Sequence, residues 1–289
     1  MMQSYTLEII DKLNEIDSNE DRIIFLKNKF KGKKCVVLSA GPSMSSVDVN
    51  KLKENHKDCY FISIKQTYNI IEDQCDFHFT NIYNYTPYNY KNKIITVTTT
   101  PQNWEKKYFD KGNINFNLVD IKSREQALVL NEEYSKYLID ENLLRPFGPG
   151  IMHETVLYFI LHLGFSDCTI FGWDLGNKNN DTIKRFYENK SGYKLFSNML
   201  HQIFPTIYNN YYIRFENKIK EYLYLIGFKN IVLNNPGIAK NEANTIAKTS
   251  YNFYNFFKSK KLNITIASDI TLLDDRIPRV DFNIYKKNV

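Results

Sequence analysis

The sequence lacks any apolar run close to the roughly 20 residues that a membrane-spanning helix needs. Residues 1–28 are too polar for a signal peptide. It has only four cysteines, at positions 35, 59, 75 and 168, and none has the spacing of a zinc site or a redox pair. We therefore predict a cytoplasmic protein with buried free thiols, located in the cytosol or at the inner face of the cell membrane.

Known phosphate-binding and metal-binding motifs are also missing. No Walker loop and no GxGxxG fingerprint is present, which argues against P-loop kinases and ordinary dehydrogenases. No Asp-x-Asp pair accompanies the glycine-rich loops, and Asp274-Asp275 stands in the C-terminal tail. The sequence thus predicts no metal requirement.

Positive charge is present in excess but is not concentrated. The net charge is +6, and the lysines are scattered among Asn, Tyr and Glu. This distribution favours an anionic ligand or an anionic membrane surface and argues against a nucleic-acid partner.

Short apolar runs alternate with helical patterns along the chain. Such alternation predicts an α/β fold, a Rossmann-like and predominantly parallel sheet flanked by helices. The predicted helices cover residues 5–30 (two helices), 151–163, 215–226 and 251–257, and the predicted strands cover 35–38, 60–64, 76–79, 93–98, 168–171, 230–233 and 262–267. We expect N-terminal helices in 1–31, the nucleotide-sugar-binding domain in 32–245 with a lid at about 175–214, and a C-terminal helix and extended arm in 246–289.

Glycines and polar residues follow several of these strands. Gly41-Pro42-Ser43 comes after the first strand, and Gly148-Pro149-Gly150 precedes the clearest helix. Because ligands of open α/β sheets bind beyond the carboxyl ends of the strands, these loops are expected to share one crevice. Free amides at a helix start suit a phosphate, so we predict a nucleotide site.

A series of short motifs carries a family resemblance. VVLSAGPSM (36–44), ISIKQT (62–67), DFHFTN (76–81), RPFGPGIMHETVLYFILHLGFSDCTIFGWDLG (145–176) and IVLNNPG (231–237) follow one another. This order resembles bacterial sialyltransferases of the Campylobacter type and related flagellin-motility-associated proteins, which share a Rossmann-like fold. Those sialyltransferases use CMP-activated sugars without a metal.

The resemblance implies site residues. It assigns donor binding to Gly41, Pro42, Ser43, Lys65, Gln66, Asn81, Arg145, Gly148, Pro149, Gly150 and Trp173. Leu175-Gly176 replaces a phosphate-binding tyrosine pair, so Tyr187 and Tyr193, with Lys190, become the phosphate ligands expected from the lid.

The catalytic base or nucleophile has three candidates. His153 stands in the first turn of a predicted helix, Asp174 follows a strand, and His201 lies in the lid. Each has a structural alternative: a core or surface histidine for His153, a turn cap for Asp174 and a solvated loop residue for His201.

The leading hypothesis is a metal-independent glycosyltransferase without a cofactor. Its donor would be CMP-linked sialic acid, a related nonulosonate or Kdo, and its acceptor a bacterial surface glycan or lipid-linked glycan. One alternative is a Mg²⁺-dependent enzyme that transfers pyrophosphate or phosphoribosyl groups on the same fold, since related proteins handle pterin diphosphates. Another is a non-catalytic nucleotide-binding accessory protein. Peripheral membrane association and homo-oligomerisation stay open.

Overall fold

A computed structural model describes residues 4–81, 90, 93–101, 113–118, 133–146, 150–175 and 240–287. All of them belong to the first of two compact units, which comprises Met1–Tyr83, Tyr90–Phe186 and Gly237–Val289. The second unit, Asn84–Asn89 with Tyr187–Pro236, lies outside the described residues. The same holds for most of the predicted lid, the helix at 215–226 and the strand at 230–233.

The described unit contains a seven-stranded parallel sheet. Its strands are β1 (Lys34–Leu38), β2 (Tyr60–Ile64), β3 (Cys75–Asn81), β4 (Ile95–Pro101), β5 (Ile114–Leu118), β6 (Asp167–Phe171) and β7 (Asn263–Ala267). They lie in the order β5-β4-β3-β2-β1-β6-β7, and every neighbouring pair is parallel. All five residues of β2 are buried, as expected for a parallel strand covered on both faces. The predicted α/β fold is confirmed.

Helices flank this sheet. They are α1 (Ser4–Asn14), α2 (Asn19–Leu26), α3 (Val49–Asn55), α4 (Tyr68–Ile71), α5 (Leu157–Leu163) and α6 (Lys240–Ser259). Ser18 separates α1 from α2, because its side chain accepts a hydrogen bond from the Asp21 amide and caps α2. Gly164, at φ +86°, ends α5 in the left-handed conformation that favours glycine.

Two differences from the predicted elements have local causes. Strand β5 is absent from the prediction, because its sequence INFNL places asparagines between the apolar residues. Helix α6 begins at Lys240, well before the predicted residue 251, and crosses the predicted boundary at 245. Its first half is mostly polar, and its apolar residues Ala243, Ile246 and Ala247 face the core. The C-terminal arm is fixed beside β7 by an isolated parallel bridge between Ile266 and Arg279.

The strand order places a topological switch point between β1 and β6. The chain leaves β1 toward β2 and β5 on one side, and returns through β6 to β7 on the other. Ligands of such sheets bind at the carboxyl ends of the two strands where the order reverses. The loops after β1 and β6 therefore border the candidate site.

Candidate functional site

The loops after β1 and β6 pack directly against each other at the switch point. The Gly41 amide donates a 2.8 Å hydrogen bond to the Gly172 carbonyl. A Cβ on Gly41 would lie 2.5 Å from Asp174 Oδ2 and would also collide with the Gly172 carbonyl oxygen. Gly172 itself has φ +70°, and a Cβ there would collide with the Ser39 carbonyl. Two glycines are thus required for this close approach of backbones.

Asp174 connects the three loops that follow β1, β6 and β7 at the carboxyl end of the sheet. Its carboxylate accepts hydrogen bonds from the Ser43 amide (2.7 Å), the Ser43 hydroxyl (2.8 Å) and the Ser268 hydroxyl (2.5 Å). Burial raises the pKa of Asp174, and the hydrogen bonds from Ser268 and Ser43 oppose that rise. This geometry matches the capping alternative for Asp174, because both carboxylate oxygens already accept protein hydrogen bonds.

Ser268 is a member of this cluster that the sequence analysis did not identify. It is the first residue after β7, in the same position relative to its strand as Ser39 is to β1. The signal that could have identified it is a polar residue directly following an apolar strand of a parallel sheet.

The loop after β2 is held in an unusual conformation. Lys65 is buried and has φ +53°. Its carbonyl accepts a 2.9 Å hydrogen bond from His78 Nε2, while His78 Nδ1 accepts from the Tyr90 hydroxyl at 2.7 Å. Burial lowers the pKa of His78 to about 3, so the ring is neutral near pH 7. His78, which the sequence analysis did not identify, therefore positions this loop.

The turn that precedes α5 is buried on all sides. It is π-helical over Met152–Val156, a form that is frequent at functional sites. His153 stacks on Phe253 of α6 at 4.3 Å between ring centroids and meets Trp173 edge-on at 5.4 Å. Burial lowers the pKa of His153 to about 3. His153 is therefore a core histidine, the first of the structural alternatives expected from the sequence. Its Nε2 has no hydrogen-bond partner among the described residues.

Arg145 lies away from these loops, beside β5. Its backbone amide bonds to the Asn117 carbonyl at 2.7 Å. Its guanidinium donates to the carbonyls of Tyr137 (2.6 Å), Leu143 (3.4 Å) and Asn142. The side chain is completely buried, which lowers its pKa to about 10. The guanidinium therefore stabilises the segment 133–145.

The other predicted site residues divide into two groups. Pro42 opens the 3-10 turn Pro42–Ser46 after β1, Gly150 stands at the start of the π-helical turn with φ +140°, and Asn81 ends β3. The structure thus brings Gly41, Ser43, Trp173 and Asp174 together. Gly148, Pro149, Tyr187, Lys190, Tyr193 and His201 lie outside the described residues.

The part of the chain that the structure describes contains no group of three or more His, Cys, Asp or Glu side chains able to hold a metal ion. Nor is any helix within it long and apolar enough to cross a membrane.

Comparison with known proteins gives one family. A family model described as "6-hydroxymethylpterin diphosphokinase MptE-like" matches residues 8–180. No curated protein matches the chain, and no solved structure matches it.

The predicted membership in the sialyltransferases, with its CMP-linked sugar donor, is therefore wrong. The motifs behind that prediction have a structural origin. Gly41 and Gly172 allow two loops of a parallel sheet to touch, and Asp174 caps the first of them. Such features follow from the fold and carry no information about a sugar. Since the matched residues span more than half of the chain, the protein belongs to the MptE-like family.

Proposed function

We propose that this protein binds a nucleoside triphosphate at the switch point and transfers its terminal diphosphate to the hydroxymethyl group of a pterin-like heterocycle. The description of the family supports this activity. It corresponds to the pyrophosphate-transferring alternative from the sequence rather than to sugar transfer.

The observation that carries the proposal is the rigid junction of the β1 and β6 loops. Gly41 and Gly172 bring the two backbones together, and Asp174 holds the Ser43 amide and hydroxyl. Since Asp174 already occupies the Ser43 amide, the phosphates would meet the neighbouring parts of this glycine-containing end of the sheet. Such a place at a switch point is typical for the phosphates of a nucleotide.

The proposed reaction is a direct displacement. The acceptor oxygen forms a bond to the β-phosphorus of the nucleotide, and the bond from that phosphorus to the α–β bridging oxygen breaks. The nucleoside monophosphate leaves, and the hydroxyl proton passes to solvent. Holding donor and acceptor in line supplies most of the rate enhancement expected in phosphoryl-group chemistry.

The first experiment measures binding. Thermal unfolding is followed with ATP, GTP, CMP, phosphoribosyl pyrophosphate and 6-hydroxymethylpterin, each with and without Mg²⁺, because Mg²⁺ accompanies nucleotide phosphates. A ligand at 100 times its dissociation constant adds about 2.7 kcal/mol of stability. We expect ATP or GTP to raise the Tm, and CMP to leave it unchanged.

The second experiment measures turnover. Protein, ATP, Mg²⁺ and 6-hydroxymethylpterin are incubated, and AMP and the pterin diphosphate are followed by phosphorus NMR. Equal amounts of both products support the proposal. Binding without either product would favour the accessory-protein alternative, which the bonded carboxylate of Asp174 and the buried ring of His153 also support.

A further inference from the structure

The side-chain amide of Gln66 is buried without a partner. Gln66 follows β2 by two residues and is 2% exposed. Neither its Nε2 nor its Oε1 has a hydrogen-bond partner among the described residues. Buried polar atoms in native proteins are nearly always hydrogen-bonded, so an amide with both ends unsatisfied requires an explanation.

The loop that carries Gln66 is held by hydrogen bonds on both sides of it. The Lys65 carbonyl accepts from His78 Nε2 at 2.9 Å. The Thr67 hydroxyl donates to the Leu38 carbonyl at 2.7 Å and accepts from the Ile64 amide at 2.8 Å. The neighbours of Gln66 are thus held by hydrogen bonds that leave its amide unused. A site built for a ligand has this preorganised form.

Other unsatisfied atoms lie at the same edge of the sheet. The Thr99 hydroxyl and His153 Nε2 are buried and have no hydrogen-bond partner among the described residues. Thr99 pairs with Asn81, the last residue of β3, and His153 contacts Trp173, which follows β6. The carboxyl end of the sheet therefore gathers donors and acceptors that the protein itself does not satisfy.

The chemistry of a carboxamide limits the ligand. It presents one N–H donor beside one carbonyl acceptor in a plane, which complements a heteroaromatic edge carrying an adjacent acceptor and donor, such as N7 and the 6-amino group of adenine. We infer that the Gln66 amide forms such a pair with the planar ring of the bound substrate. The inference rests on the proposed function, because the ring belongs either to the nucleotide or to the pterin.

Binding of each candidate ring tests this inference. Isothermal titration of wild type and Gln66→Met is done with ATP, with ITP, which lacks the 6-amino group, and with 6-hydroxymethylpterin. We expect about ten- to hundredfold weaker binding of either ATP or the pterin to Gln66→Met. If the ring is adenine, wild type also prefers ATP to ITP, and Gln66→Met loses that preference.

Two further variants complete the experiment. Gln74→Met is the matched control, because Gln74 Oε1 is also buried without a partner among the described residues. Gln74 directly precedes β3, so it lies at the amino-terminal ends of the strands, opposite the candidate site. The affinities of Gln74→Met should equal those of wild type. The Tm of Gln66→Met should not fall, since methionine has a similar volume and removes two unsatisfied atoms. If Gln66→Met does not fold, Gln66→Asn keeps an uncharged amide but withdraws it by one methylene, and it should show the same loss.

The outcomes separate the two proposals. If Gln66→Met binds every ligand as wild type does, or if wild type binds none of them, the assignment of Gln66 is overturned. If Gln66→Met loses affinity but wild type forms no AMP from ATP and the pterin, the assignment stands and the proposed transfer reaction is wrong.

Discussion

The carboxylate of Asp174 is the single side chain through which the loops after β1, β6 and β7 are connected. In Asp174→Asn, one oxygen becomes an NH₂ group, which cannot accept from the Ser43 amide or from either serine hydroxyl. We expect the free energy of unfolding to fall by about 1–3 kcal/mol. Urea unfolding followed by circular dichroism measures this loss.

Asp269→Asn is the control for Asp174. The Asp269 side chain is 39% exposed and pairs with Lys286 at 2.8 Å. Exposed ion pairs contribute about 0–1 kcal/mol, so this variant should be close to wild type. Equal losses in both variants would mean that Asp174 has no special role in connecting the loops.

Gly41 is the residue at which the β1 and β6 loops come closest. In Gly41→Ala, the new methyl group would meet Asp174 Oδ2 at 2.5 Å and its Cγ at 2.8 Å. The loop must shift, so we expect a loss of about 2–4 kcal/mol in the free energy of unfolding and weaker nucleotide binding. Urea unfolding and titration with ATP measure the two effects.

Gly32→Ala separates steric collision from backbone strain. Gly32 has φ +73°, but no atom lies within 4 Å of its added Cβ. This variant should lose about 1 kcal/mol from the left-handed backbone alone and keep its affinity for ATP. A Gly41→Ala protein as stable as Gly32→Ala would contradict the predicted collision.

At the scale of elements, the apolar strands could be predicted and the edge strand β5 could not. Strand β2 is a continuous apolar run, and the structure places it at the predicted residues, Tyr60–Ile64. Strand β5 is partly exposed and lies at the end of the sheet, so its sequence lacks that signal. The sequence allowed a core position as one alternative for His153 but could not select it, because the burial depends on Phe253, which is 100 residues away in the chain.

The segment 133–145 depends on the guanidinium of Arg145. A lysine ammonium is compact and lacks the planar fork that reaches the carbonyls of Tyr137, Asn142 and Leu143 together. We expect Arg145→Lys to lose about 2–4 kcal/mol of stability, since carbonyls are left unsatisfied. Urea unfolding measures the stability, and a titration with ATP should give an affinity within about twofold of wild type.

A different result for Arg145→Lys would support the donor-binding role that the sequence resemblance assigned to Arg145. Unchanged stability together with strongly reduced ATP binding would place the guanidinium on the nucleotide. Arg279→Lys serves as the comparison, because Arg279 also donates to a backbone carbonyl, that of Leu273 at 2.7 Å, but its side chain is 27% exposed.

At the scale of the whole molecule, the sequence indicated which end of the sheet holds the candidate site but not the contacts within it. Glycines after two apolar strands indicated that the loops after β1 and β6 lie together, and the hydrogen bond from the Gly41 amide to the Gly172 carbonyl shows that contact; a ligand crevice at this place stays a prediction. The connection of Asp174 to Ser268 depends on β7 lying next to β6, a strand order that a single sequence does not encode locally. The motifs therefore predicted the fold and misidentified the family.

Buried histidines make the stability of the whole molecule sensitive to acid. Burial lowers the pKa of His78 and of His153 to about 3, and it also lowers those of His56 and His162. In the unfolded chain a histidine titrates near 6.5. Below that pH the unfolded state binds protons that the folded state does not. The contribution of the neutral histidines to the free energy of unfolding is therefore fully present above pH 6.5 and is lost as the pH falls.

The variant His153→Phe isolates one of these contributions. Because the pKa of His153 is about 3 in the folded state, lowering the pH from 7.5 to 5 should reduce the free energy of unfolding by about 2 kcal/mol through this residue. Phenylalanine keeps the ring contact with Phe253 and does not titrate. Urea unfolding of both proteins at the two pH values should therefore show a loss that is about 2 kcal/mol smaller in His153→Phe, whatever its stability at pH 7.5. Equal losses in the two proteins would mean that His153 takes up its proton without unfolding, and that its ring has access to water or to a nearby carboxylate.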